Sequence, residues 1–283
     1  MLESRQRRLG LGLTPDGAEA TEETMSDFRN YQTRMATAGS RTDASIDEGL
    51  RAYMLKVYNL MALGLVITGL AALGTMTLAT TNDPATAVAT MGNGKMLTSL
   101  GVALYGSPLK WVVMLAPLGM VFFLSARIQS MSVSGAQTAF WVFAGLMGLS
   151  LSSIFLVYTS ASIVQTFFIT ATAFGALSLV GYTTKRDLTA MGTFLTMGVI
   201  GLLIAMVVNI FLQSPALQFA ISAIGVLVFA GLTAYDTQKI KEMYFDGDDV
   251  LVSGRKAIMG ALTLYLDFIN LFSFLLSFLG NRE

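Results

Sequence analysis

The sequence predicts an all-α integral membrane protein with seven transmembrane helices, and three observations predict it. Of 283 residues, 54% are hydrophobic and 13% charged, against roughly a quarter charged in soluble domains. Seven apolar runs reach the roughly 20 residues that a helix needs to cross a hydrocarbon core of ~30 Å. Lys and Arg gather on one side of those runs, which orients the chain.

The runs cover residues 55–78, 111–129, 136–158, 163–182, 188–212, 217–238 and 257–279. Irregular backbone cannot face lipid, so each must be helical or buried among helices. Residues 1–50 hold six Arg against nine Asp and Glu with almost no apolar stretch. They are expected to form an N-terminal cytoplasmic tail, partly disordered, ahead of a membrane domain over 51–283. Residues 9–13 are too short for the apolar centre of a signal peptide, despite Arg5, Arg7 and Arg8. Most linkers are short. The longer ones are 79–110, rich in Thr, Asn and Gly and expected to be an exposed loop, and 239–256.

With the N-terminus inside, the inner segments hold Arg51, Lys56, Arg127, Lys185, Arg186, Lys239, Lys241, Arg255 and Lys256. The outer ones hold Lys95, Lys110 and Arg282. Nine against three places the N-terminus in the cytoplasm and, after seven spans, the C-terminus outside. The last run carries an acid near its middle, which also admits a re-entrant path. Gly64, Gly69, Gly74, Gly145, Gly148, Gly192, Gly198 and Gly201 are small residues suited to close helix packing.

Net charge is zero, so no nucleic-acid partner is expected, and there is no His and no Cys. That excludes disulfides, Cys-based zinc sites and nucleophilic mechanisms that need either residue. No cofactor is expected. Chemistry falls to carboxylates, amides, hydroxyls, Lys and Arg.

Ionisable groups inside a span are expensive and mark function first. The runs contain two acids, Asp236 and Asp267, and one clear base, Arg127. Asp267 lies ten residues past Ala257, about 15 Å of helix, and its short stem cannot reach water. It needs a partner, a cavity or a proton. Asn270 and Thr263, at i+3 and i−4, share its face. The bland alternative is a protonated Asp bonded to a neighbouring helix for stability alone. Asp236 lies near the inner end of the sixth span, where an acid opposes the helix dipole. Arg127 follows Trp111 by sixteen residues, about 24 Å, so the second span must continue to about Ser130. Snorkelling and pairing with Asp236 both account for Arg127. If spans six and seven were straight and similarly placed, Asp267 would lie ~10 Å deeper than Asp236. Asp246, Asp248 and Asp249 lack the spacing of an EF-hand and are expected to be solvated loop charge.

Two stretches carry a family resemblance: Ala234-Tyr235-Asp236-Thr237-Gln238-Lys239-Ile240 and Leu264-Tyr265-Leu266-Asp267-Phe268-Ile269-Asn270-Leu271-Phe272. With the seven-span pattern from about Tyr53, they resemble the Bax inhibitor family of transmembrane proteins. Asp47-Glu48-Gly49-Leu50-Arg51 looks like the bacterial members, which implies a bacterial inner membrane. The resemblance implies a last helix surrounded by two inverted three-helix sets. It also implies a pH-regulated, calcium-permeable leak. Asp236 and Asp267 would form a di-aspartyl sensor and Arg127 a latch, with Tyr235, Thr263 and Asn270 as supporting polar groups. The two acids would be the oxygen ligands for a passing calcium ion. Bacterial members are also similar to a regulator of a membrane-bound AAA protease, which implies a protein partner besides lipid and cations.

The physics is compatible with that carry-over. Two carboxylates held close cannot both ionise cheaply, so the pair titrates as a unit. Three other classes compete. An intramembrane aspartyl protease also needs two carboxylates, and Tyr235-Asp236 fits one; the second should sit in Gly-x-Gly-Asp, but here it follows Leu264-Tyr265-Leu266. An interaction protein would use the tail for docking. A proton-coupled transporter would use the same acids.

Overall fold

The computed structural model describes the backbone of residues 15–282 apart from Asn93, and side chains from Asp47 onward with the same exception. Residues 1–14 of the expected tail lie outside the described residues, and from Pro15 onward its backbone is helical. The chain divides into two units, Met1–Arg51 and Ala52–Glu283, and the second holds the bundle described here.

Among the described residues, seven helices are long and apolar enough to cross a membrane. They are α1 (Pro15–Ala79), α2 (Leu109–Arg127), α3 (Val133–Leu151), α4 (Ser160–Thr183), α5 (Thr189–Leu212), α6 (Pro215–Glu242) and α7 (Val250–Leu279). The apolar part of α1 lies within Asp47–Ala79. A tight turn over Ile128–Ser130 extends α2, as its length required. The last helix is unbroken over 30 residues, about 45 Å, so it has the reach of a full span.

Local chemistry sets the ends. Ser132, Thr159, Ser214 and Asp249 each accept a backbone N–H from the first turn of the helix they precede, satisfying a donor with no intrahelical partner. Pro215 occupies the first position of α6, where its missing N–H costs nothing. At α5, the Thr189 hydroxyl and backbone N–H hold the Asp187 carboxyl below its usual range. Basic side chains serve the opposite ends. Lys241 Nζ donates to Tyr182 O at 2.8 Å, Lys256 Nζ to Met243 O at 2.9 Å, and Arg255 Nε to Met131 O at 2.7 Å. Each meets a carbonyl in the last turn of a helix or just beyond it, where cations are favoured.

The acidic loop cluster is built in rather than merely solvated. Asp249 caps α7, Asp248 pairs with Lys256 at 2.5 Å, and Asp246 accepts from the Tyr244 hydroxyl at 3.2 Å. Segment 79–110 likewise departs from the plain loop expected. Thr80–Thr81, Ala89–Thr90 and Met96–Leu97 form a small antiparallel sheet with Met96–Leu97 in the middle. A helical stretch over 99–106 follows.

Phe122, Phe194, Phe211 and Leu227 point outward, as lipid-facing positions do. α7 is the buried element, with Ala257, Ala261, Leu264 and Tyr265 at 0% exposure. Tyr265 meets α1 through a 2.6 Å hydrogen bond with Thr68 and α3 through the rings of Phe140 and Phe143. Phe268 meets α4 at Phe174, and Ser277 meets α6 at Ser222.

Two glycines let one long helix come close to the backbone of another. A Cβ on Gly148 would lie 2.5 Å from Thr68 O of α1, and one on Gly181 would lie 2.1 Å from Ala234 O of α6. Of the glycines expected to pack, Gly69, Gly74, Gly145 and Gly201 have open space around them. Glycine content alone does not tell a lipid-facing turn from a contact.

Candidate functional site

α6 and α7 run antiparallel, and their register is fixed by contacts along their length. Met243 meets Lys256, Gly260 sits against Ile240, Gly225 sits against Phe274, and Ser222 meets Ser277. By that register Asp236 lies level with Thr263 or Leu264, and Asp267 is three to four residues farther, about 4.5–6 Å. The ~10 Å offset assumed α7 to start at Ala257. It starts at Val250, so residues 250–256 project past the end of α6 and α7 is shifted by about one turn.

Side-chain direction closes the remaining gap. Cα–Cβ bonds tilt toward a helix's own N-terminus. In an antiparallel pair the two side chains therefore lean toward each other. The Asp236 and Asp267 carboxyls come close enough to act on each other. A hydrogen bond between them would need a proton on one carboxyl, because two carboxylates only accept.

Asp267 is 5% exposed. Its Oδ2 is buried and has no hydrogen-bond partner among the described residues. Asp236 is half-buried, and the cation acting on it is Lys239, three residues on. Lys239 also sits over the Tyr235 ring, 5.8 Å from its centre.

The other expected residues divide. Tyr235 turns toward α5, into the space above Gly192, where a Cβ would lie 2.4 Å from its ring. Asn270 donates to Leu266 O at 2.8 Å, so it bonds its own helix. Thr263 is half-buried one turn from Asp267. Arg127 is exposed at the end of α2. Its side chain makes no hydrogen bond or ion pair among the described residues, so the latch with Asp236 is not formed in this structure.

Sequence reasoning missed two hydroxyl groupings beside the pair. Thr68 bridges the Tyr265 hydroxyl, at 2.6 Å, and the carbonyls of Gly64 and Ala144, both at 2.9 Å. Tyr58, Ser178 and Thr237 form a chain of 2.6 and 2.9 Å bonds joining α1, α4 and α6. Tyr265 and Thr237 stand inside the two motif stretches, which was the available signal. Gln238 accepts from Leu188 N and donates to Arg186 O, tying the α4–α5 connection to α6 next to the pair. An apolar crevice of about 310 Å³ between α1, α3, α4 and α7 is lined by no titratable group.

The family model described as "Inhibitor of apoptosis-promoting Bax1" matches residues 50–283, which includes both acids. The chain belongs to the Bax inhibitor family. Bacterial relatives agree over nearly their whole length. An uncharacterized protein of Rickettsia prowazekii is 48% identical over 251 residues, covering 89% of this chain and 98% of the relative. One from Caulobacter vibrioides is 47% identical over 262 residues, covering 92% and 100%. The inner membrane protein YbhL of Escherichia coli K12 is 46% identical over 237 residues, covering 83% and 94%. This Bax inhibitor family member is thus a membrane protein of seven apolar helices.

Proposed function

We propose that this protein is a proton-sensitive, calcium-permeable leak pathway, with Asp236 and Asp267 as its sensing and ion-contacting pair. One observation carries the reading: two carboxyls face each other in a helix seam, with Asp267 Oδ2 buried and without a hydrogen-bond partner among the described residues. One proton held by the pair leaves it with a single negative charge. Losing it gives two like charges in close contact, which both repel each other and draw a cation. Calcium takes roughly six to eight oxygens, and two carboxylates supply at most four. No group of three or more acidic, His or Cys residues able to hold a metal occurs among the described residues. A site that coordinates incompletely favours passage over retention, as conduction requires.

The protein lies in the bacterial inner membrane with the α6–α7 connection and the N-terminus on the cytoplasmic side, following the Lys and Arg bias. The test is calcium efflux from reconstituted vesicles against pH for the wild type, Asp236→Asn and Asp267→Asn. Both variants lose the wild-type pH dependence. Wild-type profiles in both would overturn the sensor.

A second reading, docking of a membrane-bound partner protein, draws on the exposed apolar side chains of the α6–α7 connection. Phe245 is 65% exposed and Val250 86% exposed. Phe245→Ser with Val250→Ser would then abolish co-purification of a partner without changing efflux.

A further inference from the structure

We propose that the stacked rings of Phe229 and Phe274 are the hydrophobic gate of the α6–α7 seam, closing the Asp236–Asp267 pair off from a polar vestibule at the opposite end of the bundle. The proposal rests on the reading of this seam as a cation route and names its barrier.

The seam is laid out by helical spacing. On α6, Gln218, Ser222, Gly225, Phe229 and Asp236 follow at intervals of four, three, four and seven, which keeps them on one face. On α7, Asp267, Asn270, Phe274 and Ser277 follow at three, four and three, again on one face. The two faces meet. Ser222 Oγ lies 2.9 Å from Ser277 Oγ, and Gln218 Nε2 donates to Ser277 Oγ at 3.3 Å. The Phe229 and Phe274 rings stack with centroids 5.6 Å apart and planes 26° from parallel.

Beyond the rings lies a pocket of about 380 Å³, lined by Asn209, Gln213, Gln218, Ser277 and Arg282 among others. Asn209 Nδ2 donates to Gln218 Oε1 at 3.1 Å. Arg282 is held over the Tyr158 ring, 5.8 Å from its centre. Amide and hydroxyl oxygens thus stand at this mouth, and carboxylate oxygens stand at the pair. The aromatic stack stands between them, with Phe274 one turn from Ser277 and about 10 Å from Asp267. A hydrated ion cannot pass a closed apolar constriction, which gates by dewetting.

The seat of Phe274 is a glycine. A Cβ on Gly225 would lie 2.5 Å from its ring, so the ring rests flat on bare backbone.

The chain has no cysteine, so single cysteines report access cleanly. Ser277→Cys and Asn270→Cys are treated with a membrane-impermeant thiol reagent on the side of the α5–α6 turn. Ser277→Cys is labelled and Asn270→Cys is protected. Adding Phe274→Ala exposes Asn270→Cys. In vesicles, Phe274→Ala and Gly225→Ala each raise calcium efflux several-fold, while Phe274→Leu, which keeps an apolar plug, stays near wild type. Equal labelling of Asn270→Cys with and without Phe274, or wild-type efflux in a folded Phe274→Ala, overturns the gate. Efflux that rises in Phe274→Ala but ignores Asp267→Asn upholds the gate and overturns the role of the pair instead.

Discussion

The Asp236 and Asp267 carboxyls meet across two antiparallel helices although they stand three to four residues apart in level. Each side chain leans toward its own helix N-terminus, and in an antiparallel pair those tilts converge. In a parallel pair the same offset would persist. The contact therefore depends on the direction of the α6–α7 hairpin as much as on the residues.

The Tyr265 hydroxyl is buried and bonded to Thr68 at 2.6 Å. Tyr265→Phe leaves Thr68 with its carbonyl partners but removes this bond, at a cost of about 1–2 kcal/mol. A lowered thermal midpoint in detergent, with the fold retained, is the expected reading. An unchanged midpoint would mean the bond contributes nothing to stability.

Gly181 and Gly201 give opposite outcomes to the same substitution. Gly181→Ala drives a methyl group into Ala234 O and should cost about 1–3 kcal/mol or more. Gly201→Ala meets nothing within 4 Å and should leave the thermal midpoint in place. Because Ala234 is two residues from Asp236, Gly181→Ala should also disturb the pH profile of efflux.

Lys239 and Arg127 separate two accounts of the charge near the pair. Lys239 acts on Asp236 in this structure, whereas Arg127 is exposed without a side-chain partner among the described residues. Lys239→Met should shift the midpoint of the efflux–pH curve. Arg127→Ala should change thermal stability by no more than ~0.5 kcal/mol. If it also leaves the efflux curve untouched, the latch is absent from the working cycle. A moved curve would place the latch in a second state.

Asp187 offers a pH test outside the membrane. Its carboxyl is held below the usual range by bonds from Thr189. Those bonds are present above the ordinary carboxylate range and are lost as pH falls through the lowered value. The Thr189 amide resonance should titrate with a midpoint below that of free Asp. A midpoint at the ordinary value would show that the bonds do not persist in solution.

The sequence by itself determined the number of spans, their positions to within a few residues, and the two acids worth attention. Those follow from hydrocarbon thickness and from the cost of charge in lipid, which act on residue type and need no fold. It also supplied the family motifs around Asp236 and Asp267. It misjudged what depends on neighbours. The start of α7 lay in a polar stretch capped by Asp249, which hydropathy does not register as helix. Gly148 and Gly181 pack while Gly145 and Gly201 do not, a distinction set by which face meets another helix. The tertiary structure alone decided that Asp267 sits opposite Asp236, that Tyr235 turns away from it, and that Phe274 lies on Gly225. Each is a relation of register between helices. Hydrophobicity drives a run into the membrane, but only side-chain packing and polar pairing set how far one helix slides along the next.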